Sequence, residues 1–172
     1  KSFFRKVVRD LSGLTGYRRY SQALLSIFKT KGDNALDKIK KIWLKIHGFL
    51  ITNALIFGIV SIFLDWTLFF LLWWLPAFTY YSLIIRIRNI AEHCVTSGST
   101  DFDNTRTTLT NPLVRFLMAP HRVNYHLEHH LFIMCPWYNL PKAHSMMIEN
   151  GYKDKMCIAE SYRSVLMKAV SA

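Results

Sequence analysis

Residues 46–64 read IHGFLITNALIFGIVSIFL, and residues 66–85 read WTLFFLLWWLPAFTYYSLII. The two stretches hold 19 and 20 residues and are separated by Asp65, the single charged residue between Ile46 and Ile85. About 20 apolar residues are needed for a helix to cross a hydrocarbon core roughly 30 Å thick. Apolar side chains occupy every face of both stretches, leaving no polar stripe of the kind a surface helix shows. Their length favours a bilayer over two core helices of a soluble domain. Asp65 and Trp66 suit the tip of a tight hairpin, with the indole at interface depth. Pro76 is expected to kink the second span without ending it, because membrane helices tolerate such breaks.

The flanks set an orientation. Residues 1–45 carry 12 Lys and Arg against three Asp, and RIR follows at 86–88. A two-span hairpin places both flanks on one side, and the positive-inside rule makes that side cytoplasmic. The chain has 172 residues, a net charge of +11 and 51% hydrophobic residues. Such a charge beside membrane spans points to anionic headgroups. No nucleic-acid recognition motif is present, so nucleic acid is not an expected partner. Cys94, Cys135 and Cys157 are far apart with no CxxC pair, which excludes a disulfide framework or a cysteine zinc site and fits a reducing face.

The expected architecture is an all-α membrane protein. Residues 1–45 form a basic cytosolic or interfacial region, broken at SGLTG (12–16) and KGDN (31–34). Residues 46–88 form the transmembrane hairpin. Residues 89–172 form a cytosolic cap and helical tail. Within the cap, TSGSTDFDNTRTTLTN (96–111) reads as a polar, turn-rich loop. NPLVRFLMAP (111–120) reads as a short apolar stretch lying at the interface or entering a core.

The chemistry concentrates in NYHLEHHLF (124–132). On a helix His126, His129 and His130 stand at i, i+3 and i+4, positions that share a face. His129 and His130 diverge by about 100°, so the trio can serve one metal or divide between two adjacent ones. Glu128 points away from that face and does not stand between two ligands as the acid of HExxH does. It is expected to orient a neighbouring ligand instead. In RIRNIAEH (86–93), Asn89 and His93 fall one helical turn apart, making His93 a candidate fourth ligand. His47, His121 and His144 are isolated in sequence, and a structural role is expected for each. A donor set of imidazoles alone is compatible with iron, zinc, copper or nickel.

YHLEHHLF (125–132) resembles the third histidine box of membrane fatty acid desaturases, and PWYNLPKAH (136–144) resembles the stretch that follows it. RNIAEH resembles the additional ligand segment after the family's last span. The likeness covers nearly the whole chain, as the C-terminal half of such an enzyme. It implies a non-haem di-iron centre with His126, His129, His130 and His93 as ligands and Asn89 bound through a water. It also implies O₂ as co-substrate, a lipid acyl chain as substrate, and an electron donor of cytochrome b5 or ferredoxin type. Two features depart from the family pattern. Ile133 stands where many members have Pro, and the first two histidine boxes have no counterpart among these residues. The chain is therefore expected to be a fragment, inactive alone. Three other readings share the histidine pattern: a di-iron hydroxylase of fatty acids, alkanes or carotenoids, a catalytically inactive membrane module, and a membrane zinc hydrolase.

Overall fold

The computed structural model describes residues 2–94, 96, 98 and 100–171. Lys1 of the basic region, Val95, Ser97 and Ser99 around the start of the expected loop, and Ala172 of the tail lie outside the described residues. The chain is mostly helical and divides into two compact units, residues 1–83 and 84–172.

The first unit begins with α1 (Ser2–Leu11) and α2 (Leu14–Phe28). They are separated at Gly13, whose φ of 83° is the left-handed conformation that glycine adopts without a side-chain clash. Asp10 is fully buried at this corner, and the Thr15 hydroxyl donates to it at 2.6 Å. After the KGDN turn, α3 (Ala35–Phe63) starts at Asn34, whose side chain accepts from the Asp37 amide at 2.8 Å. The basic run 38–45, expected to lead into the span, is thus part of the same helix. At about 1.5 Å per residue the helix exceeds a hydrocarbon core by several turns. Its first turns can therefore carry lysines while the rest remains apolar. None of the most apolar stretch of α3 is buried by protein, so that surface requires an apolar solvent.

After Leu64–Trp66 the chain is helical again from Thr67 to His93 (α4). Both α3 and α4 are long and apolar enough to cross a membrane. The break near Pro76 is larger than a simple kink. Phe70–Trp74 widens into a π-helical turn just before the proline, and the helix is interrupted at Thr79. Proline lacks the N–H for the α ladder and its ring crowds the preceding turn, and the wider turn absorbs both defects. Nearby side chains occupy the carbonyls around the break. Thr79 Oγ1 donates to the Leu75 carbonyl at 2.7 Å, Ser82 Oγ to Phe78 at 3.1 Å, and Arg19 from α2 to Ala77 at 3.0 Å. Trp73 Nε1 donates to Asn53 of α3 at 3.1 Å, and Phe57 meets Phe69 edge-on with centroids 5.3 Å apart.

The second unit takes in the last turns of α4, then β1 (Thr107–Thr108), α5 (Pro112–Met118), α6 (His126–Leu131), α7 (Leu140–Glu149), β2 (Ile158–Ala159) and α8 (Tyr162–Ser171). Asn111 caps α5 through the Val114 amide and Pro112 occupies its first turn. The 96–111 stretch is less loop-like than its composition suggests. It contains a helical turn at Asp101–Asn104 and then β1, which pairs in parallel with β2, Thr107 opposite Ile158 and Thr108 opposite Ala159. Thr105, Arg106, Thr107 and Thr108 are all buried. Two small apolar clusters flank this spine. One joins Leu127, Met147 and Met156; the other joins Ala91, Ala119 and Tyr162.

Gly16 of α2 approaches the backbone of Phe78 so closely that a Cβ there would collide with it. Gly16→Ala is expected to cost about 1–3 kcal/mol of stability, as overpacking does. Gly48→Ala is the control, since a Cβ at Gly48 meets no atom within 4 Å and should be tolerated. Thermal unfolding of the two variants in detergent checks the difference.

Candidate metal centre

Two short elements deliver the histidines. The last turn of α4 carries His93, and α6 carries His126, His129 and His130. Each is held by β1 and its neighbour. Arg106 donates through Nη1 to the Cys94 carbonyl at 3.0 Å and the Ala91 carbonyl at 3.4 Å, capping the helix end at His93. Next along the chain, the Thr107 hydroxyl donates to Glu128 Oε2. On the other side His144 Nδ1–H donates to Glu128 Oε1 at 2.5 Å. Glu128 is wholly buried, between β1 and α7, while the box histidines point the other way.

His93, His126 and His130 converge. His126 Nε2 lies 3.0 Å from His93 Nε2 and 3.1 Å from His130 Nε2, and candidate ligand atoms of all three lie within 4.8 Å of one another. Imidazole nitrogens this close together could serve as ligands of one ion. Burial pushes the His126 imidazole down to about 3, helped by the like charges of His130, His93, His129 and Arg88. His126 is consequently neutral at physiological pH, the form in which imidazole ligates a metal. The donor set therefore fits a transition-metal ion, with three imidazole nitrogens converging on a half-open face.

The other expected residues fall into separate places. The His129 ring stands 6.1 Å from that of His126 and 5.9 Å from that of His130, centroid to centroid, and is outside the convergent trio. Asn89 is exposed one turn before His93 and lines the same open cleft of about 310 Å³ with Arg86, Ile90 and Cys94. His47 bonds the Trp43 carbonyl of its own helix at 2.9 Å, and His121 packs edge-on against Trp137.

His144, isolated in sequence, has a structural role, because α7 folds back and places it against Glu128 across 16 residues of sequence. The miss is Thr105–Thr108. Its polar composition suggests solvent exposure, yet each side chain is buried. Arg106 and Thr107 were not candidates, and their one sequence signal is a threonine-rich run of β propensity inside a turn-rich loop.

Removing Glu128 leaves two buried hydrogen-bonding groups without their partner. Glu128→Ala is expected to cost about 3 kcal/mol of stability. It should also weaken metal binding, because Glu128 ties the helix that carries His126 and His130 to Thr107 and His144. Thr107→Val should cost about 1 kcal/mol. Thermal unfolding and Co(II) titration of the same samples measure both effects.

Comparison with known proteins supplies the framework for this geometry. No curated protein and no solved structure matches the chain. The family model described as "Fatty acid desaturase" matches residues 1–160, which covers both candidate spans, the three converging histidines and His129. A desaturase-like oxidoreductase is the activity class that goes with this match, and the chain belongs to the fatty acid desaturase family.

Proposed function

We propose that the chain supplies one wall of a non-haem iron centre that removes two hydrogens from a lipid acyl chain and leaves a double bond. The observation that carries this reading is the convergence of His93, His126 and His130 in a chain whose family match is to fatty acid desaturases. Those three nitrogens would hold one iron. His129, on the same helix but directed apart from the trio, would face a second, and Asn89 would hold a metal-bound water. When bound, iron supplies the activation of O₂ and the abstraction of hydrogen, with electrons from an external donor of cytochrome b5 or ferredoxin type. A second iron would need ligands beyond this cluster, so the isolated chain is read as catalytically incomplete.

The residues of the chain do the positioning. His126 presents a neutral lone pair because burial disfavours its protonated form. Glu128 fixes the rotation of α6, so His126 and His130 keep one face. Arg106 fixes the end of α4 and with it His93. We place residues 1–45 at the cytoplasmic surface, 46–88 as a transmembrane hairpin and 89–172 as a cytoplasmic cap. The basic flanks of both spans support this sidedness.

Anaerobic Co(II) titration tests the site. One ion per chain is expected, with affinity lowered at least about 100-fold in His126→Ala. His47→Ala should bind as the unaltered chain does, and unchanged binding in His126→Ala would remove the proposed centre. For the reaction, the chain co-expressed with a desaturase-family segment bearing the other two histidine boxes should yield an alkene, lost in His126→Ala. An alcohol product would reassign it to hydroxylation, and zinc without iron after anaerobic purification to hydrolysis. Two tightly bound irons with turnover by the isolated chain would overturn the incomplete-site reading.

A further inference from the structure

In the second unit, α5 and the segment after it enclose an open cleft of about 480 Å³ that takes no part in the histidine cluster. Arg115, His121 and Arg122 line it, together with Phe116 and Trp137, and no acidic residue is among its lining. Both arginines are half-buried. Neither guanidinium makes a hydrogen bond or ion pair with another described residue. His121 and Arg122 have φ of 55° and 56°, two consecutive non-glycine residues in the left-handed region, which side chains other than glycine seldom adopt. The His121 ring is held edge-on against Trp137 with centroids 5.2 Å apart.

Two half-buried guanidiniums without a counter-ion in a cleft free of carboxylates are suited to an oxyanion, since the guanidinium fork matches phosphate oxygens in pairs. The rim identifies the source of that anion. Phe116 is 79% exposed and Trp137 50% exposed, and Leu113 and Leu117 on the same short helix are exposed as well. Exposed apolar and aromatic side chains beside arginine are the composition of a bilayer interface, where rings sit at headgroup depth and cations meet phosphate. The chain also contains two helices long and apolar enough to cross a membrane. We propose that this cleft binds the phosphate of a membrane phospholipid, with Arg115 and Arg122 on the phosphate, and Phe116 and Trp137 against the start of the acyl chains. The proposal is independent of any metal and of the reaction catalysed.

The test uses the chain in dodecyl maltoside micelles. Phosphorus NMR follows either dihexanoyl phosphatidylglycerol or inorganic phosphate as the added probe. The lipid should bind saturably, and Arg115→Gln with Arg122→Gln should weaken it by about 10-fold or more. Arg115→Lys with Arg122→Lys should bind less tightly than the unaltered chain and more tightly than the glutamine pair, because charge is kept while the paired geometry is lost. Lys153→Gln with Lys155→Gln removes the same charge from exposed lysines and should leave lipid binding unchanged. Should the glutamine variant fail to fold, Phe116→Ser takes its place, since this exposed side chain can be changed without touching a core. It should weaken lipid binding and leave inorganic phosphate unaffected. Equal loss in the lysine control would overturn the proposal in favour of diffuse charge attraction. Inorganic phosphate bound as tightly as the lipid would overturn the lipid assignment, as would unimpaired lipid binding in the arginine-to-glutamine and Phe116→Ser variants.

Discussion

Arg106, the residue just before β1, and Thr107, the first residue of β1, between them hold both carriers of the converging histidines. Arg106 bonds the carbonyls of Ala91 and Cys94 at the end of α4, and Thr107 bonds the Glu128 carboxylate in the middle of α6. Successive residues of a strand point to opposite sides. Two adjacent side chains can therefore engage two different helices, and the spacing of those helices follows from the strand itself. β1 is only two residues long, but it is bonded on both sides. Thr107 N and Leu109 N donate to the β2 segment, and Thr108 N donates to the Asn124 carbonyl just before the box. The metal-binding geometry is thus a consequence of a polar spine whose hydrogen-bonding groups are directed into its neighbours.

A spine of this kind carries a cost that its partners offset. Buried hydroxyls, a carboxylate and a guanidinium are each unfavourable in a protein interior unless bonded. In the second unit the apolar clusters are small, Leu127 with Met147 and Met156, and Ala91 with Ala119 and Tyr162. Much of the specificity of this unit therefore rests on polar pairing rather than on volume filling. Glu128 accepts from elements on both sides, so a rotation of α6 would break two buried bonds together. A six-residue helix has little helical stability of its own, and such external fixation is what makes it a dependable platform for imidazoles.

The first unit follows a different rule. Its long helices expose apolar side chains over nearly their whole length, and their polar contacts gather where the backbone ladder is disturbed. Thr79, Ser82 and Arg19 all bond carbonyls between Leu75 and Phe78, next to Pro76. The proline was visible in the sequence as a perturbation. The π-turn that precedes it and the arginine that reaches it from α2 were not, because both depend on which neighbours arrive once the chain is folded.

Several features were legible from residue order alone. Segment length and uniform apolarity gave the two candidate spans, and turn chemistry gave the breaks at Gly13 and Asn34. The spacing within HLEHH put His126, His129 and His130 on a shared face with Glu128 directed away, and the folded chain keeps His126 and His130 together while His129 stands apart. These readings succeed because they rest on local periodicity, which a helix fixes regardless of its surroundings. Tertiary structure decided what lies across long sequence separations. It brought His93 to within 3.0 Å of His126 from 33 residues away, turned His144 from a lone histidine into the partner of Glu128, and buried the Thr105–Thr108 segment that composition assigns to a loop. The physical reason is the same in each case. A polar side chain can be satisfied by water or by a buried partner, and only the folded chain determines which of the two it meets.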